Sequence, residues 1–127
     1  MALNKIVIFG TLVREPDIRL TQNGISVANF TVCCPRDFKD YRGKREIDYF
    51  DVTAWRNTAE FVARYFGKGS AIAVIGRMHS RLWTDKEGAH RKQWYIECDE
   101  VSFAADDRRP GSAPVAAKPS FTEEEQG

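Results

Sequence analysis

Apolar and polar side chains alternate with a period of two along five stretches of the chain, and residues two apart on a strand share a face. The first stretch covers residues 4–13. In the second, residues 24–34, Ala28, Phe30 and Val32 form an inward row while Asn29 and Thr31 face out. The third, residues 46–56, places Phe50, Val52 and Ala54 on one face and Tyr49, Asp51, Thr53 and Trp55 on the other. The fourth, residues 70–83, sets Ile72, Val74, Gly76 and Met78 against Ile75, Arg77, His79, Arg81 and Trp83. The fifth, residues 92–103, points Trp94, Ile96 and Cys98 inward. Its apolar parity then moves to Val101 and Phe103, which predicts a bulge or a bend.

The segments between these stretches carry turn chemistry. Glu15-Pro16-Asp17 and Gln22-Asn23-Gly24 are turn signals, and Pro35, which cannot donate to a ladder, predicts the end of the second strand. Residues 36–45, RDFKDYRGKR, read as a charged loop turning at Gly43, and residues 85–91, DKEGAHR, as a hairpin loop with Gly88. The helical signal is TAEFVARYF, residues 58–66, with Asn57 as its cap, Glu60 three residues on, and Gly67 as a left-handed C-terminal stop. From about residue 105 the periodicity ceases. The remainder, DDRRPGSAPVAAKPSFTEEEQG, buries too little to offset its ordering entropy and predicts a disordered acidic tail. The expected organisation is one domain over residues 1–104 and a tail over 105–127.

The order β-β-β-α-β-β predicts an all-β protein. Five short strands cannot hide their edges unless the sheet curls. A five-stranded barrel with one short helix between strands three and four is the OB-fold, whose open groove crosses strands two and three and their loops. An open antiparallel sheet covered by the helix is the rival arrangement.

Composition narrows the function classes. No apolar run approaches the ~20 residues of a membrane span, and the opening MALNKIVIFGTL lacks the pattern of a secretory signal. The expected location is therefore cytoplasmic. The net charge of +1 hides an asymmetry: residues 1–105 hold 16 Lys and Arg against 13 Asp and Glu, and residues 106–127 hold 3 against 5. A basic body with an acidic end suits an anion-binding domain. Cys33, Cys34 and Cys98 are odd in number and lack metal-ligand spacing, so they read as reduced thiols and no metal or other cofactor is expected. Glu46, Asp48 and Asp51 are split between two faces and have no His at ligand spacing, so a metal-dependent nuclease is not expected.

The outer rows of strands three and four place Tyr49, Trp55 and Trp83 among Arg77, Arg81 and other polar groups. Exposed rings beside cations suit a surface on which unpaired bases stack while phosphates are neutralised. The alternative for these rings is subunit packing or core filling, and for the charged loop a solvated hairpin. A protein-interaction adaptor on the same fold would lack the pairing of Trp83 with Arg81. Trp94, with inward parity, is expected in the core.

Several pieces in order carry a resemblance over about residues 2–103: Asn4-Lys5, GTLVREPDIR, QNGISVANFTV, IDYFDVTAWRNTAEFVARYFGKGS and IAVIGRMHSRLWTD. The chain resembles bacterial-type single-stranded DNA-binding proteins. The resemblance implies a homotetramer of OB-folds that wraps single-stranded DNA without reading its sequence, in DNA replication, recombination and repair, with no enzymatic activity. It implies base stacking at Phe38, Tyr49, Trp55 and Trp83, and a strand path lined by Lys5, Arg19, Lys68 and Arg81. His79 and Leu82 stand where some members carry a basic residue. Arg36, Lys39, Arg42, Lys44, Arg45, Arg56 and Arg77 are candidates to compensate. Members commonly close on an acidic run and Pro-Phe that docks replication and repair proteins. This chain ends SFTEEEQG, with Phe121 before the acids and no terminal Pro-Phe, and departs from that docking pattern.

Overall fold

The computed structural model describes residues 2–104. The expected disordered tail lies outside them. The elements in chain order are β1 (Ile6–Leu12), β2 (Asp17–Leu20), β3 (Ser26–Lys39), β4 (Arg45–Trp55), α1 (Arg56–Tyr65), β5 (Ala71–Thr84) and β6 (His90–Phe103). Five strands close a barrel in the order β1-β5-β6-β4-β3, with β3 returning to β1 through Thr11↔Cys33 and Leu12↔Val32. Neighbours are antiparallel except β4 and β6, which run parallel through Val52↔Ile96 and Thr53↔Glu97. This is the OB-fold barrel, with its helix after the third barrel strand.

The inward rows make the core. Ala28, Phe30, Val32, Val52, Ala54, Ile72, Val74, Ile96 and Cys98 are all buried, joined by Ile8 and Leu12 from β1 and by Ala59, Val62 and Phe66 from the helix region. Beyond the helix end Phe66 stacks on Phe103 with ring centres 5.2 Å apart. At Gly10 β1 crosses close to β3, and a Cβ there would collide with the Cys33 carbonyl oxygen. Only glycine permits that approach. Of the bulge or bend expected in the last strand, a bulge is present: Ile75 pairs with Glu100 but Gly76 with Cys98, leaving Asp99 as the extra residue.

Four local expectations are corrected. The turn-rich segment after β1 contains a further short strand, β2, paired with β3 from Asp17↔Asn29 to Leu20↔Ser26 and lying outside the closed barrel. Pro35 does not end its strand. The ladder is irregular between Pro35 and Lys39 and resumes at Lys39↔Arg45, so a missing donor is absorbed by a local break. The helix is not capped by Asn57. Trp55 occupies the cap position without a side-chain cap bond, Arg56 takes a left-handed φ of 58°, and Glu60 accepts from the Ser26 hydroxyl. The tight turn at Arg56 starts the helix before Asn57 can cap it. Gly67 is not the left-handed residue either. Gly69 is, at φ 86°, inside a turn closed by the Ser70 N–H donating to the Gly67 carbonyl over 2.9 Å.

Because β4 and β6 run parallel, the hairpins entering them leave the barrel at the same end. Both tips have one architecture. Asp40 and Asp85 each fold their carboxylate back onto backbone N–H groups, and the glycine three residues on has positive φ, Gly43 at 82° and Gly88 at 85°. At Asp40 the N–H of Lys44 leads, and at Asp85 the Arg91 guanidinium, in holding the carboxyl below the usual carboxylate range. The result is two long β-ribbons, β3–β4 and β5–β6, standing out from the barrel.

Candidate nucleic-acid interface

Directly paired residues on neighbouring strands share a face. On the outer side of the sheet Arg19 pairs with Val27 and Val27 with Trp55, so one row carries a guanidinium at one end and an indole at the other. The next row is Asp17, Asn29 and Thr53, continued through Glu97 to Arg77. Within it the Thr53 hydroxyl donates to Asn29 Oδ1 at 2.8 Å, and one row further the Thr31 hydroxyl donates to Asp51 at 3.0 Å. The last row joins Thr11, Cys33 and Tyr49. The polar side chains of this face are tied to each other across strands, which fixes the platform between the two rings.

The rings are accessible. Phe38 is 85% exposed, Tyr49 62%, Trp55 39% and Trp83 48%. Trp55 and Tyr49 belong to the barrel wall, whereas Phe38 and Trp83 ride on the two ribbons. Trp83 faces the same side as His79 and Arg81, opposite Arg91, Gln93 and Tyr95. The Arg81 guanidinium lies 4.7 Å from the centre of the Tyr95 ring, and His79 packs edge-on against that ring at 5.8 Å.

The candidate cations divide into two sets. Arg36 donates to both Asp48 oxygens at 3.0 Å and reaches Glu46 at 3.3 Å. That contact pulls the Asp48 carboxyl below its ordinary range and raises the Arg36 guanidinium. Arg77 pairs with Asp99 at 3.1 Å, Arg19 with Asp17 at 3.2 Å and Arg42 with Asp40 at 2.9 Å. By contrast, no acid among the described residues pairs with Lys5, Lys39, Lys44, Arg45, Arg56, Lys68 or Arg81. Arg45 spends one nitrogen on the carbonyls of Arg36 and Asp37, at 2.8 and 2.7 Å. It also stands directly opposite Lys39. Two like charges in one cross-strand pair are unfavourable, and an anion between them relieves the cost. Lys68 sits at the corner of the turn after the helix, where its N–H donates to Glu15 at 3.2 Å and its side chain is exposed.

Trp94 is not in the core. It is 55% exposed, because β6 continues past the barrel end and its inward parity there opens onto solvent. Two further rings escaped the sequence reading. Tyr41 is 94% exposed at the β3–β4 tip, with the Arg42 guanidinium 5.4 Å from its ring centre. Tyr95 was legible, since the inward parity given to Ile96 already turns it outward. Tyr41 carried no periodic signal.

The geometry defines an OB-fold barrel with an outer sheet of exposed rings and of cations that have no acidic partner among the described residues, extended by two ribbons. Residues 3–104 match the Single-strand binding protein family, and the chain belongs to it. It is 44% identical over 101 residues to a single-stranded DNA-binding protein of Halalkalibacterium halodurans, covering 80% of this chain and 60% of that one. Identity is 39% to the protein of the same description from Oceanobacillus iheyensis, with 63% of it covered. It is 36% to single-stranded DNA-binding protein 1 of Staphylococcus aureus, with 65% covered. The matched region thus spans less than two thirds of these relatives.

Proposed function

We propose that this protein binds single-stranded DNA without sequence preference, acting in the cytoplasm to protect unwound strands during replication, recombination and repair. The observation that carries the reading is the row arrangement: Arg19 and Trp55 share one row, Tyr49 lies on the same face, and Trp83 and Arg81 continue it on a ribbon. Phe38, Tyr49, Trp55 and Trp83 stack bases, each worth roughly 1–3 kcal/mol and tolerant of any base. Lys5, Lys39, Lys44, Arg45, Arg56, Lys68 and Arg81 neutralise phosphates. Arg19, Arg36 and Arg77 shape the path while keeping their acidic partners. Duplex DNA hides its base faces within the stack, so preference for single strands follows.

The protein is not an enzyme in this reading: Asp48 and Glu46 are occupied by Arg36, and Asp51 accepts from Thr31. Residues 1–104 form the binding domain, in accord with a family match ending at residue 104. Residues 105–127 are assigned to a separate acidic tail. Assembly is a homotetramer. On the other side of the barrel Val7 and Phe9 are exposed, paired with Ile75 and Ala73, an apolar uncharged face suited to another copy.

The test is a tryptophan-fluorescence titration with oligo-dT at two salt concentrations. Trp55→Ala and Trp83→Ala are each expected to weaken binding about tenfold with the fold intact. Absence of wild-type binding overturns the function; unchanged affinity in both variants overturns the stacking.

A further inference from the structure

The β5–β6 ribbon has two faces. One carries His79, Arg81 and Trp83. The other carries Ser80 and Leu82 from β5 and Lys92 and Trp94 from β6, with Ser80 paired to Trp94 and Leu82 to Lys92. Near the barrel this second face is the core side, ending at Met78 and buried Ile96. Beyond them it is open: Leu82 is 73% exposed and Trp94 55%. The indole, more than half in water and paired across the strands with a serine, is not part of the core cluster. Lys92 Nζ lies 5.6 Å from the centre of the Trp94 ring, so the ring comes with its own cation. No acidic side chain lies on this face between Met78 and Thr84 or between His90 and Ile96. The whole ribbon, residues 77–95, holds five Lys and Arg against two Asp and Glu.

We propose that Trp94 and Lys92 form a second stacking station, taking a nucleobase and its phosphate from the same single strand that passes Trp83. The proposal rests on the single-strand reading above and extends it to the opposite face of the ribbon. Trp83 and Trp94 are three residues apart along the ribbon and one strand across, roughly 11 Å between backbones at ordinary strand spacings. Both long edges are free there, since β1 pairs with β5 only up to Gly76 and β4 with β6 only at Ile96 and Glu97. A strand leaving Trp83 therefore turns over an open edge and reaches Trp94 without crossing another element. Lys92, on a flexible stem, exchanges its ring contact for the phosphate as the base settles on the indole.

The experiment uses the full chain and oligo-dT, comparing wild type with Trp94→Ala, Trp94→Phe and Trp83→Ala. Trp94→Ala is expected to weaken binding about tenfold, Trp94→Phe to recover most of the loss, and both to keep the wild-type melting temperature and mass in solution. Photo-crosslinking of oligo-dT carrying 5-iodouracil is expected to label Trp94. Wild-type and Trp83→Ala titrations that behave as expected, with Trp94→Ala binding like wild type and no label at Trp94, overturn this inference alone. A drop in oligomer mass in Trp94→Ala also overturns it, because the face is then a contact between copies. Failure of the wild type to bind removes the underlying reading instead.

Discussion

Arg77 and Arg81 lie on the same strand and face, four residues apart, yet the structure assigns them opposite electrostatic roles. Arg77 is neutralised by Asp99 at 3.1 Å, while Arg81 rests on the Tyr95 ring with no acid among the described residues paired to it. Binding to a single strand releases condensed counterions, and the slope of log K against log salt changes by about 0.7 for each phosphate neutralised. Arg81→Gln is therefore expected to lower the slope by about 0.7, equivalent to about 2.6-fold in affinity across a fourfold change in salt. The double substitution Arg77→Gln with Asp99→Asn removes one charge of each sign and is expected to leave the slope unchanged. Removing Arg77 alone is less informative, because it would leave Asp99 uncompensated beside the strand path. The assay is a fluorescence titration with oligo-dT at four or more salt concentrations, one protein at a time. If the double substitution lowers the slope as much as Arg81→Gln, the ion pair opens on binding and the division of cations by their partners in the free protein is refuted.

Two further outcomes test the scaffold. Gly10→Ala puts a Cβ against the Cys33 carbonyl oxygen, a backbone atom that cannot swing aside. Overpacking of this kind costs about 1–3 kcal/mol, or roughly 4–8 °C in Tm per kcal/mol for a domain of this size; an unchanged Tm by circular dichroism would refute the close crossing of β1 and β3. Burial pushes the Cys98 thiol up to about 11, against an ordinary value of about 8.5. The folded state holds the proton more tightly, so the Cys98 contribution is fully present below about pH 8.5 and is lost as pH rises toward about 11. The stability difference between wild type and Cys98→Ala should narrow over that window; a constant difference would show that the thiol is not held in an apolar site.

Parity placed most of the exposed rings, and each of its failures has a physical cause. Alternation tells which side of a strand a residue takes, and that sufficed to put Tyr49, Trp55 and Trp83 outside and Phe50, Val52 and Ala54 inside. It does not tell how far the barrel extends. Trp94 has the parity of Ile96 but stands beyond the last core layer, so the same side means solvent. Register was equally invisible. Arg36 reads as a free cation until the ribbon places it beside Asp48 and Glu46, after a proline that signals an ending rather than a continuing strand. Four-residue β2 was hidden for a different reason: all its residues are exposed, so no buried row marks it.

The outer rows also bear on how much strand one barrel can hold. Trp55 and Tyr49 are six residues apart on β4, about 20 Å at 3.3 Å per residue. Stacked nucleotides rise 3.4 Å each along one strand, so this interval alone accommodates about six bases, and fewer if the chain is stretched. Phe38 and Trp83 lie on ribbons beyond the same end of the barrel. A path from Trp55 through Tyr49 to either ribbon therefore falls within the roughly 4–16 nucleotides that OB-folds occupy. The cations without an acidic partner among the described residues follow the same polarity: Arg56 adjoins Trp55 at one end, and Lys39, Lys44 and Arg45 crowd the tip of the β3–β4 ribbon at the other. The middle, around Asn29, Thr31, Asp51 and Thr53, is bonded to itself and carries no net positive charge. The geometry thus concentrates exposed rings and cations at the ends of a neutral span. On the proposed function a strand is held mainly at these separated points, so binding of oligo-dT should strengthen steeply once its length bridges both ends and only gradually beyond.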